Sequence, residues 1–225
     1  MGRFGRRTKI DGKGHRTLGQ EKHWSRIASN FEERTAYVAG RKNLEEIRRR
    51  LSALALSGRV LELGCGNGTY TRVLAETAGS VVATDLSEDM VATAREHLQD
   101  LPTVQVEQQD AFALSYPDAT FDAVVMVNLL HVIPDRDKAV AESRRVVKPD
   151  GQIVVVSFTT AGMGLFAKLG LLYRYRRAFG QRPKTARALT VDETRAIVET
   201  SRFEVRDARL IGTGCKAVFL HAAAH

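Results

Sequence analysis

The sequence predicts an α/β fold, a three-layer sandwich in which helices cover both faces of a mostly parallel sheet. Short Val-rich apolar runs recur at 60–63, 81–84, 104–106, 123–127 and 153–156, and stretches with helical spacing separate most of them. Strand, helix, strand in repetition requires crossover connections, so the strands run parallel, and their near-continuous apolar character means burial on both faces. The last two runs, FEVRDARL and KAVFLHAA, are joined by IGTGC and read instead as an antiparallel hairpin.

Taken in order, residues 1–20 are rich in Gly, Arg and Lys without periodicity and read as a mobile basic arm. From Trp24 to Leu56 the pattern is helical, with Leu44, Ile47, Leu51, Leu54 and Ala55 at three- and four-residue spacing. After the first strand, Tyr70, Val73 and Leu74 mark a helix. Met90, Val91, Ala94 and Leu98 mark the next, opened by Ser87 as N-cap with Glu88 and Asp89 in its first turn. A helix from about Asp135 to Val147 turns Ala139, Val140, Ser143 and Val146 to one side and stops at KPDG. TVDE at 190–193 is a capping box ahead of Ala196, Ile197 and Val198. No repeat or linker breaks the chain, so residues 21–225 are expected to form one domain.

The 225 residues are 44% hydrophobic and 27% charged, the ordinary globular range, which excludes a disordered chain or a coiled coil. No apolar run approaches the roughly 20 residues of a membrane-spanning helix, and the N-terminus lacks the apolar stretch of a secretory signal. The two cysteines, Cys65 and Cys215, have no Cys or His at zinc-ligand spacing, so no metal is expected and a reduced, cytoplasmic protein follows. The formal charge is +8, unevenly placed: residues 1–16 hold six Lys or Arg and one Asp, and 162–187 hold seven and no acid. The rest is mildly acidic, so anionic or interfacial contacts would be local to these two stretches.

The stretch VLELGCGNGTYT at 60–71 ends a strand, opens a helix and places three glycines between them. Glycines there let the backbone pass close to a ligand, and the helix start offers unpaired N–H groups. A dinucleotide fingerprint needs G-x-G-x-x-G, but Thr69 stands where its third glycine belongs. Glu62, two residues before Gly64, would repel a pyrophosphate and suits an ammonium group. Asp85, 21 residues after Gly64, ends the second strand, where a carboxylate accepts both hydroxyls of a ribose. Asp110 follows the third strand, placed to receive an adenine amino group. An adenosine with an amino-acid end and no phosphates is S-adenosylmethionine.

With VVATDLSEDMV, QQDAFAL, FDAVVMVNLLHVI and RRVVKPDGQIVVVSF following in order, the sequence resembles the class I S-adenosylmethionine-dependent methyltransferases over about residues 25–221. Within them it is similar to the small-molecule group that includes the quinone-biosynthesis enzymes. The resemblance implies a Rossmann-like, doubly wound sheet of seven strands whose last strand is antiparallel. It implies that Glu62, Gly64 and Gly66 border the methionine end of the cofactor, that Asp85 holds the ribose, and that Leu86 and Met90 flank the adenine. Asp110 would bond the adenine amino group with the Ala111 amide nearby, Asn128 would face the methyl donor, and Cys65 fits within the loop as a small residue. Phe31 and Tyr37 lie where related enzymes cover the cofactor with an N-terminal helix. Singly, each carboxylate is equally at home as a helix cap; together with the glycines they favour binding.

Methyl transfer from a sulfonium is an in-line displacement by an already activated donor, so alignment does most of the work and a base is optional. His131 is the candidate base, the alternative being a backbone bond at the start of the following helix. The interval 159–189 is expected to form a substrate lid, with Phe166 and Tyr173 as candidate substrate contacts beside Tyr37. Its Leu165, Leu169, Leu172 and four nearby cations admit three partners: a small apolar or acidic molecule, a membrane-associated precursor met peripherally, or RNA held through its phosphates. The small organic acceptor ranks first, with the accepting atom open. An RNA methyltransferase or a non-catalytic cofactor-binding partner protein are the alternatives. The oligomeric state is not legible.

Overall fold

The computed structural model describes residues 30–225; the basic arm and the first part of the expected N-terminal helix lie outside the described residues. Seven strands form one sheet: β1 (Arg59–Leu63), β2 (Ser80–Asp85), β3 (Val104–Gln108), β4 (Phe121–Val127), β5 (Val147–Thr159), β6 (Phe203–Ile211) and β7 (Lys216–Ala224). Their order is β3-β2-β1-β4-β5-β7-β6. The first five pair in parallel, and β7 runs antiparallel to both β5 and β6.

Helices α1 (Phe31–Ala39) and α2 (Arg41–Ala53) precede β1; α3 (Thr69–Leu74), α4 (Glu88–His97) and α5 (Arg136–Val146) are crossover helices. Then α6 (Leu165–Phe179) and α7 (Val191–Thr200) connect β5 to the hairpin. The one helical stretch expected before β1 is two helices, because Gly40 breaks it with φ of 88°. The KPDG turn lies inside β5, which starts directly at Val147. Elsewhere the local signals hold. The Ser87 hydroxyl accepts from the Met90 amide, and Thr190 and Glu193 close a capping box on α7.

Alternation along the strands divides the core in two. Leu61, Leu63, Val82, Val124, Met126, Ile153 and Val155 pack toward α5 and α7. Val60, Val81, Ala123, Val125, Val154 and Val156 face the other way, onto Ile47 and Leu51 of α2 and Tyr70, Val73 and Leu74 of α3. Burying an aliphatic side chain contributes about 1.5–3 kcal/mol, so both layers resist displacement and the strand ends are held in fixed register.

A polar clasp holds α2 to the C-terminal hairpin. Asn43, buried at 5% exposure, donates to the carbonyls of Ala39, Thr213 and Cys215 and accepts from the Thr213 amide at 2.9 Å. Nothing in its sequence context singled it out, because its partners lie 170 residues away in the β6–β7 turn.

Candidate functional site

Register brings the site together. Leu63 pairs with Thr84 on one side and Met126 on the other, and Asp85 pairs with Gln108. The segments after β1, β2, β3 and β4 therefore leave the sheet at one edge, where β2 lies on one side of β1 and β4 on the other. A crevice opens at such a switch point in a doubly wound sheet.

The glycine loop is fixed from both sides. Gly64 and Cys65 donate their amides to the Thr84 carbonyl at 2.7 and 2.9 Å. Asp85 Oδ2 accepts the Gly66 amide at 3.0 Å while Oδ1 accepts the Ser87 amide at 2.9 Å. Gly66 sits at φ 57°, a left-handed conformation, and a Cβ there would point toward the Phe31 ring, 3.6 Å away. Asp85 is thus both the strand-end acid and the clamp on the loop.

A cavity at this edge is lined by Gly64, Cys65, Gly66, Asp85, Leu86, Met90, Asp110, Ala111 and Asn128, with Phe31 and Thr35 of α1 across from them. Nine of the ten residues expected around the cofactor are brought together here. Glu62 is not among the lining residues. It shares the strand face of Val60, beneath α3, and its carboxylate accepts the Thr71 hydroxyl at 2.5 Å. Burial raises its pKa to about 7, against the opposing effect of the Thr71 bond. Burial likewise raises Asp85, opposed by the bonds from Ser87 and Gly66, and holds the Cys65 thiol well above its ordinary range.

Among the described residues the lining carries Glu32, Asp85 and Asp110 and no Lys or Arg. Such a wall is hostile to phosphates and favourable to a cation. Met90, 2% exposed, packs with Phe31, whose ring lies 6.2 Å from that of Phe179 on α6. These residues fit an adenosine carrying a sulfonium and an ammonium group.

A second cavity adjoins the first and shares Phe31, Thr35, Asn128 and Val132 with it. Its apolar wall includes Val38, Phe158, Leu171, Leu172, Tyr175 and Phe179; polar groups come from Thr159, Thr160, His131, Lys168 and Arg182. Asn128 stands at the junction, in a left-handed conformation with φ 61°. Its amide bonds the Val156 carbonyl at 2.7 Å, and its Oδ1 accepts from the Phe158 amide at 3.3 Å. A non-glycine residue in this conformation, tied to β5 by both bonds, is uncommon, and such residues cluster at functional sites.

His131 lines the second cavity. Its Nδ1 is buried without a hydrogen-bond partner, so the expected alternative, a ring bond to the helix start, is not made through that atom. The residue's carbonyl instead accepts the Arg187 amide at 2.8 Å. Burial first, then the charges of Arg182 and Arg136, push the imidazole down to about 4. The ring is neutral at physiological pH and a weak base.

The expected substrate contacts are not brought to either cavity. Tyr37, Phe166 and Tyr173 are 48%, 89% and 67% exposed. The same helix presents Leu171, Tyr175 and Phe179 inward. Tyr173 and Tyr175 are two residues apart, which places them on opposite sides of a helix, so α6 turns Tyr175 and not Tyr173 toward the cavity. Thr35, Leu171, Tyr175, Phe179 and Arg182 were missed, whereas Lys168 and Leu172 were among the residues named for this segment. The heptad spacing of Leu172 and Phe179 was the available signal.

Residues 61–155 match the family described as "Methyltransferase domain". A phosphatidylethanolamine N-methyltransferase of Cereibacter sphaeroides is 33% identical over 162 residues, covering 69% of this chain and 79% of that enzyme. The ubiquinone/menaquinone biosynthesis C-methyltransferase UbiE of Hydrogenovibrio crunogenus is 34% identical over 149 residues, 64% of this chain but only 57% of the length of that relative. Among solved structures, an S-adenosylmethionine-dependent methyltransferase of Aquifex aeolicus superposes with a TM-score of 0.64 at 20% identity, covering 96% of this chain and 100% of that one. The chain belongs to the class I S-adenosylmethionine-dependent methyltransferases. It is an enzyme, and S-adenosylmethionine is its cofactor.

Proposed function

We propose that the enzyme methylates a small organic acceptor bound in the second cavity, with the cofactor in the first. The observation that carries this reading is the shared boundary: Phe31, Thr35, Asn128 and Val132 line both cavities. When bound, the sulfonium cofactor supplies an electrophilic methyl group. Asp85 holds the ribose while clamping the Gly66 amide, Asp110 and Ala111 receive the adenine edge, and Leu86 and Met90 flank its ring. Gly64, Cys65 and Gly66 let the methionine portion lie close to the backbone, and Glu62 lies beneath the loop, bonded to the Thr71 hydroxyl. Asn128 fixes the junction at which donor and acceptor meet.

The acceptor is oriented by apolar packing against Phe158, Leu171, Tyr175 and Phe179, with Lys168 and Arg182 suited to an acidic or carbonyl group on it. α1 and the 159–189 segment act as the lid that excludes water. Alignment of this kind contributes up to roughly 7–11 kcal/mol in favourable cases. Neutral His131 serves as a hydrogen-bonding partner for the acceptor. A proton leaving a phenol or alcohol finds a poor resting place on an imidazole whose pKa is about 4.

The test is methyl transfer from labelled S-adenosylmethionine into a deproteinised cell extract, fractionated into small molecules, lipids and nucleic acid. Label in the small-molecule or lipid fraction is expected. Label in RNA would move the substrate site to the basic segments, and cofactor binding without turnover in any fraction would favour a non-catalytic partner protein.

A further inference from the structure

The outer face of α6 is solvent-exposed, although five of the seven exposed large hydrophobic side chains among the described residues lie on this helix. Leu165, Phe166, Leu169 and Tyr173 are 68%, 89%, 53% and 67% exposed. At positions i, i+1, i+4 and i+8 they form one stripe along the helix. Ala178 is the helix's single buried residue. The inner side is held to α1: Arg174 Nε donates to the Val38 carbonyl at 3.3 Å, and Arg34 donates to the Ala178 carbonyl. Exposed Arg176 and Arg177 extend the stripe, and no acid occurs anywhere from 162 to 187.

Isolated exposed apolar residues need no explanation, but a contiguous stripe does. We propose that this face docks on an anionic lipid surface, with the stripe in the interfacial layer and the cations among the headgroups. Charge complementarity selects this occupant. A second copy of the chain would bring the same uncompensated cations against this face, and the arm at 1–16, with six Lys or Arg and one Asp, carries the same sign. A nucleic acid offers phosphates to Arg176 and Arg177 but no apolar layer for Phe166 and Leu169. A bilayer surface offers both, as interfacial helices with a cationic flank require. The helix is 15 residues long, about 22 Å at 1.5 Å per residue, so it lies on such a surface and does not cross it. Because the same helix walls the second cavity with Leu171 and Tyr175, docking would set that cavity beside the lipid layer. The docking readout is independent of which molecule is methylated.

The experiment is flotation of the full-length protein with vesicles of phosphatidylcholine alone and of phosphatidylcholine mixed with phosphatidylglycerol. The expected result is recovery with the mixed vesicles, at least about tenfold more than with phosphatidylcholine alone, and loss of most of it at high salt. The triple variant Leu165→Ser, Phe166→Ser, Leu169→Ser and the separate pair Arg176→Glu, Arg177→Glu should each lower recovery about tenfold or more, with melting temperatures unchanged. Three outcomes overturn the proposal. One is no recovery with either vesicle. Another is a dimer of the parent protein in size-exclusion chromatography that the triple serine variant dissolves. The third is binding to single-stranded RNA that the glutamate pair abolishes and the serine variant leaves intact.

Discussion

Asp85 Oδ2 accepts the Gly66 amide at 3.0 Å, so the acid that ends β2 also sets the glycine loop that follows β1. Its other oxygen accepts the Ser87 amide at the head of α4. The two carboxylate oxygens therefore tie three segments of the cofactor cavity to one side chain. Asp85→Ala is expected to raise the dissociation constant for S-adenosylhomocysteine at least about tenfold by calorimetry, and to lower stability by about 1–3 kcal/mol from the amides left unpaired. Unchanged affinity would remove the ribose assignment.

Gly66→Val should separate binding from folding. The left-handed backbone costs a non-glycine residue about 1–2 kcal/mol, while the added side chain projects toward Phe31 across the cavity. Cofactor affinity is expected to fall by far more than this stability loss accounts for. Gly64 behaves differently, since a Cβ there lies 2.8 Å from Leu129 Cδ1. Gly64→Val should register mainly in the melting temperature.

Glu62 makes stability depend on pH with a definite sign. Its pKa is raised by burial from the ordinary 4.5 to about 7 in the folded protein, so folding favours the protonated acid. That contribution is fully present below pH 4.5 and is lost as pH rises through 7. Glu62→Gln mimics the protonated form. Relative to the parent protein it should therefore gain stability at pH 8 compared with pH 5, by on the order of 2 kcal/mol. Denaturant titrations of both proteins at the two pH values check this.

His131 carries the opposite sign at lower pH. Burial and neighbouring cations depress its pKa to about 4, so its contribution is present above 6.5 and is lost as pH falls through 4. For turnover, the account predicts no inflection near pH 6.5 belonging to this residue. His131→Gln should retain the pH profile of the parent enzyme above pH 6 and change chiefly KM. A profile whose basic limb disappears in His131→Gln would make the histidine the base.

Asn43→Ala removes four hydrogen bonds: the Cys215 carbonyl loses its partner in a buried place, and the Thr213 amide and carbonyl lose theirs at the partly exposed turn. A loss of about 2–4 kcal/mol is expected by urea unfolding. Exchange of the 212–215 turn amides should rise with it.

What could be read in the sequence was whatever local chemistry dictates. The Gly64, Gly66 and Gly68 spacing, the acids closing β2 and following β3, the Ser87 cap and the Thr190–Glu193 box depend on neighbours within a few residues, and they came out where expected. The inward side of α6 did not, because the helix is almost wholly apolar or cationic and so has no polar stripe to mark its solvent side. Which tyrosine points inward is decided by α1, through Arg174 and Arg34. Glu62 stands two residues before Gly64, and only the strand alternation of β1 shows that its carboxylate turns beneath α3 to the Thr71 hydroxyl. Asn43 depends on contacts across the whole chain and leaves no local trace, and the second cavity leaves only the heptad spacing of Leu172 and Phe179.

The account turns on two adjoining cavities, one for the cofactor and one for the acceptor, meeting at Asn128. A crystal structure with bound S-adenosylhomocysteine tests this most directly. The adenine should lie between Leu86 and Met90, the ribose hydroxyls on Asp85, and the sulfur directed past Asn128 into the cavity walled by Phe158, Leu171 and Tyr175. A sulfur facing bulk solvent, or a cofactor seated away from Asp85, would contradict it.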